Sequence, residues 1–160
     1  MSTTEVGRFE DVQVGVRLKI ASLWIAMLFL FAYGDIFGFF VPGRIEEIQG
    51  GRISGMEITQ TFLFAVSVYI AIASAMVFLT LVLRPAVNRW VNIGLATLYI
   101  VSIVVSMFGE DAYFVFLSIA EIAMLTLIVW FAWSWPQSAR WPSADALGPQ
   151  GLPLDTSSTE

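Results

Sequence analysis

Four long apolar runs limit what this chain can fold into. They cover about residues 20–41, 58–83, 88–108 and 112–135. At about 1.5 Å per residue, a helix made from any of them would reach across a hydrocarbon core about 30 Å thick. Lipid cannot hydrogen-bond to backbone N–H and C=O groups, so only helices or closed barrels span it. Barrels need alternating strands, whereas these runs are continuously apolar. The predicted fold is an all-α integral membrane four-helix bundle.

The segments between the apolar runs predict the rest of the organisation. In the polar N-terminal segment, residues 1–19, valines alternate with polar residues, which is typical of a strand or of an interfacial lead into the first helix. The first loop, 42–57, is the longest, and Gly50 and Gly51 would end a short helix at 44–49. The second and third loops are tight. The last three spans are therefore predicted to be sequential antiparallel neighbours.

The C-terminal segment, residues 136–160, differs in composition from the spans. It contains four of the six prolines, together with Ser, Gly, Asp and Thr. Such a segment has little apolar surface to bury, so we predict a disordered tail.

The distribution of basic residues predicts how the bundle is oriented. Six of the eight basic residues fall on the side that carries both termini and the second loop. The positive-inside rule then places both termini in the cytoplasm. All six tryptophans fall near that face and are predicted to form an interfacial belt, with Trp141 just beyond it. They are Trp24, Trp90, Trp130, Trp133, Trp135 and Trp141.

Composition excludes several classes of function. The chain contains no Cys and no His, so disulfides, thiol chemistry, the usual haem and zinc ligands and the usual general base are absent. The net charge of −5 is spread along the chain and leaves no basic footprint for a nucleic acid. We expect no cofactor, no metal site and no nucleic-acid partner. The lipid bilayer is the expected partner.

Two acidic residues, Asp35 and Glu121, lie inside predicted spans that hold no basic residue. A charge in hydrocarbon costs between about 2.5 and 17 kcal/mol, so such residues are functional candidates. Counted from the span ends, they lie about 10 and about 14 Å below the same boundary. If their helices pack, the two acids would face each other and one or both would be protonated or would hold a cation. Alternatively, each is a neutral acid hydrogen-bonded to Ser, Tyr or backbone.

Other polar residues complete the candidate site for a ligand or a proton. Ser118 lies three residues before Glu121 and therefore on the same helical face. Tyr69 and Tyr99 lie in the middle of their spans, where a hydroxyl needs a partner, and are predicted to donate hydrogen bonds to the carboxylates. The candidate site thus consists of Asp35, Glu121, Ser118, Tyr99 and Tyr69.

Small residues predict where helices approach each other closely. Gly34 and Gly38 form a small-xxx-small pair beside Asp35. The second span carries a stripe of small residues that is predicted to be a packing seam: Ser67, Ala71, Ser74 and Ala75. In the third span, polar and small residues lie roughly on one face: Asn92, Ala96, Tyr99 and Ser106.

Five short motifs carry a resemblance to a known family within about residues 18–135. They are Leu23-Trp24, Tyr33 to Ile36, Asn88 to Ile93, Glu121 to Ala123, and Trp130 to Trp135. On these residues the chain resembles a family of small uncharacterised bacterial four-span integral membrane proteins, a domain of unknown function. The resemblance implies a multi-pass protein of the bacterial cytoplasmic membrane. It implies no activity.

Three functions agree with the sequence. In the first, the carboxylate pair binds or translocates a proton, a cation or a small molecule, and four helices make so thin a pore wall that a homo-oligomer is expected. In the second, the chain is an accessory or structural subunit that binds a larger membrane complex or lipid and has no activity of its own. A membrane enzyme ranks last, because without His or Cys it would depend on carboxylates, Tyr and Arg.

Overall fold

A computed structural model describes residues 14–135, which form five helices and one two-stranded antiparallel hairpin. The elements are α1 (Val16–Gly38), α2 (Arg44–Gln49), β1 (Arg52–Ile53), β2 (Met56–Glu57), α3 (Gln60–Val82), α4 (Pro85–Ser106) and α5 (Ala112–Trp133). Helices α1, α3, α4 and α5 are each long and apolar enough to cross a membrane. The predicted all-α architecture with four long apolar helices is confirmed, and these helices suggest a multi-pass membrane protein.

The helix ends differ from the predicted spans for local reasons. Helix α1 begins at Val16, so the alternating residues 16–19 are helical and are not a strand. Helix α4 begins at Pro85, three residues before the predicted start of the third span at residue 88. Proline suits the first helical position because its missing N–H would have no intrahelical partner there. The predicted tail, 136–160, and the first part of the polar N-terminal segment lie outside the described residues.

The four long helices do not pack equally against each other. Helix α1 packs against α3 and α5, and α4 packs against α5, whereas the backbones of α3 and α4 approach each other at few points. The predicted close pairing of sequential helices therefore holds for α4 and α5. Helices α3 and α4 are joined by a tight turn and are linked by four hydrogen bonds that involve side chains: Tyr69 to Ser102, Tyr99 to the Tyr69 carbonyl, Thr80 to Asn92, and Asn88 to the Thr80 carbonyl.

The core is made of one narrow face from each long helix. Buried residues recur at helical spacing on α1 (Ile20, Trp24, Met27), α3 (Ala73, Met76, Thr80), α4 (Asn92, Ala96, Tyr99) and α5 (Leu125, Ile128, Ala132). Of the face predicted for the third span, Asn92, Ala96 and Tyr99 are buried, whereas Ser106 is exposed. Two other predictions are wrong: Trp24 is completely buried rather than part of a belt, and the small stripe on α3 is exposed.

A buried polar network joins three of the helices near the N-terminus of α4. The Trp24 indole Nε1 donates a hydrogen bond to Asn92 Oδ1 at 2.8 Å, and the Thr80 hydroxyl donates to the same oxygen at 3.3 Å. Asn92 Nδ2 donates to Asn88 Oδ1 at 2.7 Å, and Asn88 Nδ2 donates to the Thr80 carbonyl at 2.6 Å. Buried polar groups are costly without partners, and these partners satisfy one another.

The first loop is folded against the α4–α5 loop at the opposite end of the bundle. As predicted, a short helix ends at Gln49 and is followed by glycines, but the β1–β2 hairpin was not predicted. Arg44 Nη1 donates to Ser54 Oγ at 2.8 Å, and Arg44 Nη2 lies 3.7 Å from a carboxylate oxygen of Glu110. These contacts hold the hairpin beside the start of α5.

Candidate functional site

The four long helices surround a cavity of about 350 Å³. Its lining comes from the C-terminal halves of α1 and α4 and the N-terminal halves of α3 and α5, so it lies in the half of the bundle nearest the hairpin. Most of the lining is apolar, and three aromatic rings contribute to it, those of Phe31, Tyr69 and Phe114.

Both acidic candidates, Asp35 and Glu121, line this cavity. They come together because α1 and α5 pack side by side. Glu121 is only 5% exposed, whereas Asp35 is exposed and lies at the margin of the cavity. Gly34 is buried next to Asp35, and a Cβ atom added there would contact Leu117 Cδ1 at 3.6 Å. The small residue therefore lies at the contact between the two helices that carry the acids.

Three polar side chains of the cavity have no partner within residues 14–135. Asp35, Ser118 and Glu121 form no hydrogen bond there, and the ion pairs of this part of the chain join Arg44 to Glu47 and to Glu110 instead. No lining residue is basic. The cavity therefore offers two carboxyl groups and one hydroxyl to whatever occupies it.

The two tyrosines do not donate to the carboxylates. Because the Ser102 hydroxyl donates to the Tyr99 carbonyl at 2.9 Å, Tyr69 is the donor in its 2.6 Å hydrogen bond to Ser102 Oγ. The Tyr99 hydroxyl donates to the backbone carbonyl of Tyr69. The predicted bonds from these hydroxyls to the acids are therefore wrong, and the tyrosines instead link α3 to α4.

The aromatic rings beside the cavity form one packed group. The Tyr69 and Tyr99 ring centroids are 4.3 Å apart, and Phe31 stacks on them at 6.1 and 6.5 Å respectively. Of the five predicted site residues, Asp35, Tyr69, Ser118 and Glu121 line the cavity, whereas Tyr99 lies behind Tyr69 and is not among the lining residues. Tyr99 supports the wall of the cavity.

Sequence reasoning missed several residues that line the cavity. Ser102 lines it from α4, and Phe31 and Phe114 supply aromatic walls, whereas Ser106 had been placed on the polar face of the third span but not in the candidate site. Ser102 lies three residues after Tyr99, so helical spacing alone could have placed it near the same face. Nothing in the sequence distinguishes the two phenylalanines from the other apolar residues of their spans.

Fold and cavity define a helical protein with four candidate membrane spans and an acidic, largely apolar internal site. A family model described as "Family of unknown function (DUF6326)" matches residues 10–140. The chain belongs to this family, as its resemblance to a family of unknown function predicted. No match was found among curated proteins or among solved structures.

Proposed function

We propose that this chain is a multi-pass integral membrane protein that binds an organic cation between Asp35 and Glu121 as part of a transport function. We further propose that the protein lies in the bacterial cytoplasmic membrane. Both of its termini would then be in the cytoplasm. The observation that carries the proposed cation binding is the cavity in which two carboxyl groups and the Ser118 hydroxyl lack partners within residues 14–135.

Glu121 is buried in the wall of the cavity. An isolated carboxylate in a low-dielectric interior is destabilised by several kcal/mol unless a proton or a positive charge compensates it. No lining side chain is basic. A cation in the cavity would supply the missing charge to both Glu121 and Asp35, and Ser118 could accept a hydrogen bond from an ammonium N–H.

The lining favours an organic cation over a bare metal ion. Hard metal ions require about six or more oxygen ligands, and no group of three or more His, Cys, Asp or Glu is arranged for a metal within residues 14–135. Aromatic faces attract ammonium groups, and Phe31, Tyr69 and Phe114 supply such faces. A volume of about 350 Å³ lies at the lower end of the range found for small-molecule pockets.

A second function is favoured by the exposure of Asp35. An exposed carboxyl group on a membrane helix would be compensated if a helix of another subunit placed Lys or Arg against it. In that case the chain is an accessory subunit of a larger membrane complex. The two functions differ in what the isolated protein binds, since only the first predicts cation binding without a partner.

Binding of benzyltrimethylammonium to the purified full-length protein in nanodiscs tests the first function. Its neutral carbon isostere, neopentylbenzene, has nearly the same shape and lacks the charge. We expect the cation to bind at least 10-fold more tightly than the isostere to the wild type. Glu121→Gln should lose most of this preference because the amide retains the size and removes the charge. Glu57→Gln is the matched control, since Glu57 is exposed on β2 outside the cavity.

Two results would contradict cation binding at this site. One is equal affinity for the cation and for the neutral isostere. The other is a charge preference that survives Glu121→Gln in a variant whose circular dichroism matches that of the wild type. If instead no cation binds, and Asp35→Asn dissociates a larger complex isolated from the native membrane, the accessory function is favoured.

A further inference from the structure

The end of the bundle opposite the cavity carries only positive charge within residues 14–135. Its charged residues are Arg17, Lys19, Arg84 and Arg89. The acidic residues of the described chain lie in the cavity or in the first and third loops: Asp35, Glu46, Glu47, Glu57, Glu110, Asp111 and Glu121. Four positive charges therefore have no carboxylate beside them in this part of the chain.

Three of these basic residues lie over aromatic rings. Arg17 lies 5.8 Å from the centroid of the Trp135 ring and donates to the Leu81 carbonyl at 2.6 Å. Lys19 Nζ lies 5.6 Å from the centroid of the Phe131 ring. Aromatic faces hold a cation in place without neutralising its charge, so the charge stays available to an anion.

Arg89 is the most specific feature of this surface. Its guanidinium carbon lies 5.7 Å from the centroid of the Trp90 ring and 5.3 Å from that of Trp133. The Nε atom is buried and has no hydrogen-bond acceptor within residues 14–135. A buried donor left unpaired is unfavourable, so we expect a hydrogen-bond acceptor to bind the Arg89 Nε–H group.

A phosphate group would supply the hydrogen-bond acceptor that Arg89 Nε lacks within residues 14–135. The planar guanidinium presents parallel N–H donors that bind two oxygens of a phosphate, and stacking on aromatic rings fixes its plane. Trp90 and Trp133 are 63% and 61% exposed, as expected of indoles that contact lipid at the membrane interface. The same end of the bundle thus combines headgroup-binding and lipid-contacting side chains.

We infer that Arg89, held between Trp90 and Trp133, binds the phosphate of an anionic phospholipid, with Arg17, Lys19 and Arg84 adding attraction. The inference rests on the membrane insertion proposed above but not on the cation site. An anionic lipid is favoured over a zwitterionic one because the four positive charges, which have no carboxylate beside them within residues 14–135, repel a choline group. Each basic residue near an anionic membrane surface strengthens attraction about five-fold.

Native mass spectrometry of the full-length protein, loaded with equal amounts of phosphatidylglycerol and phosphatidylcholine, tests the inference. We expect the wild type to retain phosphatidylglycerol at least five-fold more than phosphatidylcholine. Arg89→Gln should lose most of this preference. Arg89→Lys, which keeps the charge but removes the fork and Nε, should retain part of it. Arg52→Gln is the matched control, because Arg52 is an exposed basic residue at the other end.

Several outcomes would overturn the inference. Equal retention of the two lipids by the wild type would do so, as would an unchanged preference in folded Arg89→Gln or Arg89→Lys. Displacement of the lipid by millimolar inorganic phosphate would identify a site for free phosphate instead. Glu121→Gln separates the two proposals, since it should keep the lipid preference. Extraction of the wild type from membranes by alkaline carbonate would refute the membrane insertion on which the lipid site rests.

Discussion

At the scale of single residues, Asn92 shows how a polar side chain can organise an apolar bundle. Its amide oxygen accepts from Trp24 and Thr80, and its nitrogen donates to Asn88. The sequence placed Asn92 on the correct face of α4, because helical spacing determines which residues share a face. It did not identify Trp24 as a partner, because a tryptophan near a span end is also typical of an interfacial belt.

We predict that Asn92→Leu lowers the free energy of unfolding by about 2 kcal/mol, because it leaves the buried Trp24 N–H without an acceptor. A single interhelical hydrogen bond contributes little to the stability of a membrane protein. The loss in the free energy of unfolding should therefore not exceed about 3 kcal/mol. Equilibrium unfolding in mixed micelles measures the difference. Thr97→Ala on the same helix is the control, since the exposed Thr97 hydroxyl bonds only to the carbonyl of Ile93. An equal loss in both variants would show that the network is not specifically stabilising.

At the scale of helices, small residues show where two helices could pack closely. They do not show whether a neighbouring helix is present at that position. Gly34 is buried against Leu117, as the small-xxx-small pattern on α1 predicted. The stripe on α3 fulfils the same pattern, yet it is exposed. The difference arises because α3 packs mainly against α1, so only the face carrying Ala73 and Met76 is covered. A pattern within one helix does not specify which neighbour will be present.

We predict that Gly34→Ala is tolerated and that Gly34→Leu is not. A Cβ atom at Gly34 would lie 3.6 Å from Leu117 Cδ1, an ordinary van der Waals contact, whereas the larger side chain would force α1 and α5 apart. Overpacking of this kind costs about 1–3 kcal/mol. Gly94→Leu on α4 is the matched control, because no atom lies within 4 Å of a Cβ atom there. The same unfolding measurement compares all three, and equal stability of both leucine variants would refute the close contact.

At the scale of the whole molecule, the sequence predicted the four long helices and the half of the bundle that holds both acids. The apolar runs are long and continuous, and depth along a helix follows from residue number. Three features could not be predicted: the separation of α3 from α4, the hairpin, and the direction of the Tyr69 and Tyr99 hydroxyls. Each depends on contacts between distant segments, which periodicity in one segment does not encode.

The distribution of basic residues predicts the orientation of the bundle in the membrane. Basic residues are retained on the cytoplasmic side during insertion, and the end of the bundle with Arg17, Lys19, Arg84 and Arg89 has the larger number of them. We therefore predict that this end is cytoplasmic and that the hairpin faces outward. The chain contains no cysteine, so one introduced cysteine would be the only thiol that a maleimide can label.

Met56→Cys on the hairpin and Ala86→Cys at the start of α4 are suitable positions, since both residues are exposed and neither substitution changes the charge. In intact cells, a membrane-impermeant maleimide should label Met56→Cys and should label Ala86→Cys only after permeabilisation. The cysteine-free wild type gives the background. The reverse pattern would show that the basic end faces outward, and labelling of both positions in intact cells would exclude a pair of loops on opposite sides of a membrane. Because the two positions flank α3, labelling from opposite sides would show directly that α3 crosses the membrane.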